Sequence, residues 1–158
     1  METRSEFGVE RGEGCSCRTC RRNCMFMPGF LIPTDLDRMI PAGTEPLGWA
    51  ELNLMASPGA IAMKNGETFR IPTLVMANKP DGSCIYYRNR QCQIWETSPF
   101  GCAFFDCGPE RGGISRLGLA EVMRAWREPS LYSRVWQHLW DSGRQAAAPE
   151  EKRARMNA

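Results

Sequence analysis

The stretch CQIWETSPFGCAFFDC, residues 92–107, holds Cys92, Cys102 and Cys107, three of the eight cysteines in a chain of 158 residues. A proline, a glycine and several aromatic rings lie between the thiols. These sulfurs are disulfide staples, a redox pair or metal ligands. The choice decides the fold, because each answer ties the backbone together differently. The other cysteines are Cys15, Cys17, Cys20, Cys24 and Cys84, so the thiols form two groups, 15–24 and 84–107.

Composition narrows the choice. Hydrophobic residues make up 42% and charged residues 24%, an ordinary balance for one globular domain with a modest core. A net charge of +2 is too small to point to nucleic acid or to an anionic membrane surface. No apolar run reaches the roughly 18 residues a membrane-spanning helix needs. The opening METRSEFGVERGEG mixes charges of both signs and has no apolar centre, which argues against a secretory leader. The expected compartment is the cytoplasm. Thiols stay reduced there, and a dense set of them more often holds a metal than pairs as disulfides.

Working outward, residues 1–14 read as a polar lead-in, 15–142 as one cysteine-cluster domain and 143–158 as a polar tail, frayed and solvated. MFMPGFLIP reads as buried but irregular. TDLDRMI reads as a short helix capped by Thr34, favoured at its start by Asp35 and Asp37 and ended by Pro41. Prolines and glycines break up residues 41–60, leaving WAELNLMA as one helical turn or an irregular segment. Asn65-Gly66, between two apolar-rich runs, predicts a hairpin with a type I′ turn. Pro72 demotes its second strand to an edge or a bulge. CIYY predicts another short strand. Leu119, Val122, Met123 and Trp126 fall at helical spacing over 115–127. A second helix over about 130–141 starts at Ser130. The expected fold class is α+β: a small irregular domain organised around a cysteine-ligated metal centre, with a β-hairpin and C-terminal helices.

In the first group, Cys17-x2-Cys20-x3-Cys24 places thiols close enough to converge on one metal atom or cluster. In the second, Cys84, Cys92, Cys102 and Cys107 are too widely spaced for a paired zinc knuckle. The two groups together resemble the YkgJ-like cysteine-cluster proteins, a family of zinc- or iron-chelating domains. Its first signature, C-x2-C-x2-C-C, corresponds to Cys17, Cys20 and Cys24, with Asn23 where the first cysteine of the final pair is expected. Its second, C-x-I-Y-x2-R-P-x2-C-R-x-F with a further cysteine, corresponds to Cys92, Ile94, Trp95, Ser98, Pro99, Cys102, Ala103, Phe105 and then Cys107. Cys84 occupies the upstream position. Ser98 and Ala103 replace two arginines, so the charge of the thiolates has to be balanced elsewhere; Arg18, Arg21, Arg22, Arg88 and Arg90 are candidates.

The resemblance implies a metal centre whose ligands come from Cys17, Cys20, Cys24, Cys84, Cys92, Cys102 and Cys107. Cys15 lies outside the pattern and is a substitute for the thiol missing at Asn23 or a bystander. A [4Fe–4S] cluster is the preferred occupant, because the first group is dense and apolar residues surround the second. Zn2+ in a four-thiolate structural site is the alternative. The functions implied are electron transfer or support of a protein-modifying enzyme, against a zinc-stapled interaction module.

No nucleophile–base pair, phosphate loop or cofactor fingerprint appears, so no catalytic residues are assigned. His138, the single histidine, reads as a surface or packing residue. Tyr132, Trp136 and Trp140 form an i, i+4 stripe that reads first as core packing, and second as a surface for a protein partner.

Overall fold

The structure is a computed structural model and describes residues 29–89, 91–94, 100–103 and 111–156. The lead-in, Cys15, Cys17, Cys20, Cys24 and Cys107 lie outside the described residues. Along the chain the elements are β1 (Phe30–Leu31), α1 (Pro33–Met39), α2 (Pro46–Asn53), β2 (Leu54–Ser57), β3 (Ile61–Lys64), β4 (Glu67–Arg70), β5 (Thr73–Met76), β6 (Tyr87–Arg88), β7 (Gln91–Cys92), α3 (Phe100–Ala103), α4 (Arg111–Arg127), α5 (Leu131–Asp141) and α6 (Pro149–Met156). The architecture is mixed α and β with small antiparallel sheets, as an α+β domain requires.

Strand β5 is the centre of a three-stranded sheet in the order β1-β5-β2. Leu31 faces Leu74 on one side, and Leu54, Met55, Ala56 and Ser57 face Met76, Val75, Leu74 and Thr73 on the other. Every residue of β5 is buried, which explains why its sequence, TLVM, does not alternate. Helix α5 packs on β2 and β5, with α2 and α4 against its flanks. Tyr132, Val135 and Leu139 of α5 are almost fully buried.

The predicted turn at Asn65-Gly66 is present. Both residues have positive φ, 53° and 79°, and β3 pairs with β4 across them. Pro72 acts differently from the expectation. It does not demote the second strand of that hairpin; β4 ends before it, and β5 begins just after it as a central strand. Proline lacks an N–H, but its carbonyl remains an acceptor, and Trp126 Nε1 donates to it at 3.0 Å.

The prolines at 33 and 46 also mark beginnings, not breaks. Each sits in the first turn of a helix, where its missing N–H has no intrahelical partner to lose. Glu45 caps α2 by accepting from the N–H groups of Leu47 (3.1 Å) and Gly48 (2.7 Å). Those two bonds hold its carboxyl below the usual range. WAELNLMA therefore divides between α2 and β2. Thr34 is not a cap, because α1 has already begun at Pro33; Ile32 stands at the cap position, and Asp35, in the first turn, reaches back to accept its N–H at 2.8 Å.

The polar tail is a second correction. Ala56 N–H donates to the Arg144 carbonyl at 2.9 Å, and Ala146 N–H donates to the Ala56 carbonyl at 2.8 Å. Residues 144–146 thus run parallel to β2 and cover its outer edge, which a bare strand would expose. Ala146 and Ala148 are buried, and α6 follows with an Arg70–Glu150 ion pair. Alanine allows this close approach: the backbone supplies the bonds, and the small side chains fit beneath it.

Candidate functional site

Three of the second-group cysteines are described. Cys84 lies where β5 would continue past Met76: Asn78 bridges to it, and the Asp81-Gly82 turn returns the chain. Asp81 holds that turn by accepting from Ser83 N–H (2.9 Å) and Ser83 Oγ (2.6 Å), which keep its carboxyl below the usual range. Cys92 lies at the end of β7, opposite Tyr87 of β6, and Tyr87 N–H donates to the Cys84 carbonyl at 2.9 Å. The hairpin therefore brings Cys84 and Cys92 to one end of the sheet.

Cys84 is 8% exposed. Burial pushes its thiol above its ordinary value of 9.0, and the neighbouring Cys92 adds to this; the Tyr86 N–H, Lys79 and Lys152 pull the other way. Lys79 Nζ also donates to the Tyr87 carbonyl at 2.5 Å. These lysines supply positive charge near Cys84 where the sequence offered arginines. Arg88 is exposed on β6, and Arg18, Arg21, Arg22 and Arg90 lie outside the described residues. Lys152 belongs to the tail read as solvated, yet it is 9% exposed. No local pattern marks it, because only the tail's return along β2 carries α6 inward.

The raised thiol has a consequence for stability. An unfolded chain gives up the Cys84 proton near 9, while the folded chain keeps it. Cys84 therefore contributes stability that is full below that value and is lost as pH rises above it. Urea midpoints of the metal-free protein are expected to fall from about pH 8 to about pH 10.5, and Cys84→Ala is expected to flatten that slope. Parallel slopes in the two proteins would refute the assignment.

Cys102 lies on α3, and its Sγ accepts the Gly29 N–H at 3.2 Å across 73 residues of sequence. Two residues before it, Phe100 is almost fully buried. Its ring lies 5.7 Å from that of Phe30, and its backbone N–H donates to Asp35 Oδ2 at 2.9 Å. The ring also rests on Gly118 in α4, where a Cβ would stand 2.2 Å from the ring carbon Cε1. A glycine inside a helix costs about 1 kcal/mol relative to alanine, and here it makes room for Phe100. Asp35 is fully buried and also pairs with Arg38. From sequence, Asp35 reads only as a favourable charge at a helix start.

Among the described residues, no three His, Cys, Asp or Glu side chains converge as a metal-binding group. Asn78, the residue bridged to Cys84, buries its side-chain oxygen without a hydrogen-bond partner among those residues. His138 Nε2 lies 2.5 Å from a Glu51 carboxylate oxygen and links α5 to α2. Tyr132 and Trp136 are buried. Trp136 Nε1 donates to the Ser57 carbonyl at 2.9 Å, and its ring stacks on Trp140 at 4.9 Å. The stripe thus supports the sheet, with Trp140 at its margin. No helix among the described residues is long and apolar enough to cross a membrane. No family model, curated protein or solved structure matches the chain.

Proposed function

We propose that this chain is a cysteine-ligated metal protein that carries an iron–sulfur cluster in a thiol-reducing compartment. The observation that carries the reading is the Gly29 N–H bonded to Cys102 Sγ. Gly29 follows Cys24 by only five residues, so the chain leaving the first cysteine group is fastened to a thiol of the second. Backbone N–H groups facing sulfur stabilise thiolate and tune a cluster, and Tyr86 serves Cys84 in the same way. Phe30 and Phe100 supply an apolar wall beside Cys102. The thiols present fit an iron–sulfur centre in donor chemistry. Cys17, Cys20, Cys24, Cys84, Cys92, Cys102 and Cys107 form the ligand pool, and the resemblance to the YkgJ-like proteins supports the same set. When bound, such a cluster supplies one-electron chemistry. The role that follows is electron transfer or support of a protein-modifying enzyme, in the cytoplasm.

The test is to purify the protein without oxygen and to measure iron, sulfide, zinc and the visible spectrum. The expected result is about four irons and four sulfides per chain with absorbance near 400 nm. Cys102→Ser is expected to lose most of the metal and to melt at lower temperature, because binding energy at such a site is folding energy. Colourless protein with one or two zincs would replace the redox reading with a zinc-stapled module. Full metal and an unchanged melt in Cys102→Ser would remove Cys102 from the ligands.

A further inference from the structure

We infer that Asp35 is the positioning residue of the metal centre, a role that rests on the reading above: one carboxylate oxygen fixes the chain segments that carry the two cysteine groups. Oδ2 of Asp35 accepts from Ile32 N–H at 2.8 Å and from Phe100 N–H at 2.9 Å. Ile32 lies three residues after Gly29, on the segment leading away from Cys24. Phe100 lies two residues before Cys102. The two segments are far apart in sequence, and this oxygen joins them directly beside the Gly29–Cys102 bond.

The carboxylate suits this work. It is fully buried, where an ionised group is costly unless bonded on several sides. Two backbone donors and the Arg38 guanidinium meet that need. Charge-assisted bonds of this kind are shorter and stronger than neutral ones, so they hold backbone position more tightly. Packing restricts the same point: Phe100 packs against the Phe30 ring and against the bare backbone of Gly118. A change at Asp35 therefore moves the start of α3, and Cys102 moves with it.

The test compares the whole chain, purified without oxygen, with Asp35→Asn. The amide keeps the shape of the side chain, but it loses the charge and turns an N–H group towards Arg38 or towards the two backbone donors. Bound iron, sulfide and zinc are measured first; both proteins are then stripped with a chelator, so that ligation shields neither thiol, and the rates at which iodoacetamide labels Cys102 and Cys84 are read by peptide mass well below the melting transition. The expected outcome is a fall in metal affinity of roughly 10–100-fold. Cys102 is expected to label about tenfold faster, with Cys84 unchanged, since only the segment around α3 is freed. Asp35→Ser, too short to reach the Phe100 N–H, carries the same expectation should the amide variant fail to fold. An unchanged Cys102 rate would overturn the inference, and so would a parallel rise at both thiols, which marks general loss of stability. A wild-type protein without metal, combined with a selective rise at Cys102, would end the cluster reading and leave Asp35 as the positioning residue of that thiol.

Discussion

Tyr132→Phe is expected to destabilise the protein by about 2–4 kcal/mol, although it removes a single oxygen atom. The Tyr132 hydroxyl stands between β1 and β5. It accepts the Leu74 N–H at 2.8 Å and donates to the Leu31 carbonyl at 2.6 Å. Leu31 and Leu74 are paired in register, so the hydroxyl is inserted at a step of the ladder where backbone would ordinarily meet backbone. The side chain is 1% exposed, and water cannot replace it. Phenylalanine would leave one buried donor and one buried acceptor without partners, each costing about 1–3 kcal/mol. Burial also pushes the phenol far above its usual range, so it stays protonated and goes on donating in alkaline solution. The measurement is a thermal melt, with an expected loss of roughly 5–15 °C. A loss under about 2 °C would mean that β1 closes directly onto β5.

The second large effect is expected at Gly59, in the connection from β2 to β3. Its φ is +81°, and a Cβ there would stand 1.9 Å from the Ile71 carbonyl oxygen. That oxygen is backbone, so no side-chain rotation can relieve the overlap. Gly59→Ala is expected to cost about 3–4 kcal/mol, from the unfavourable dihedral plus displacement of the Ile71 backbone. Gly66 supplies the control. Its φ is +79°, but nothing lies within 4 Å of the added Cβ, so Gly66→Ala is expected to cost only about 1–2 kcal/mol. Chemical denaturation of the two variants separates crowding from dihedral strain, and equal losses would show that the approach at Ile71 carries no weight.

These two residues also show what the sequence discloses. Asn65-Gly66 is legible because its chemistry is local: two adjacent positive φ values suit those two residues and join the flanking strands. Ser130 is legible for the same reason, and its Oγ accepts the Ser133 N–H at 3.1 Å at the start of α5. Gly59 looks like any other loop glycine, since its neighbour across the turn is Ile71. Tyr132 shows its burial by helical spacing, but not the pair of backbone groups its hydroxyl joins. Asp35 is read as a charge at a helix start, and its bond to Phe100 spans 65 residues. Lys152 and the alanines of the tail fail for a related reason: their burial follows from a return of the chain along β2, and composition records no such path. The candidate site follows the same division. Cysteine spacing names a ligand pool, while the groups that hold Cys102 and balance Cys84 come from α1, α4, the turn after β5 and α6.

The hydroxyl wedge also sets an order of events in time. Leu31 and Tyr132 are 101 residues apart, so β1 cannot be fastened until the chain has been made through α5. At about 5–20 residues per second of synthesis, that interval is roughly 5–20 s. Gly29 waits less long for its partner, since Cys102 is made 73 residues after it and ahead of Tyr132. The edge of the three-stranded sheet that β1 forms is thus completed only when nearly the whole domain has been made.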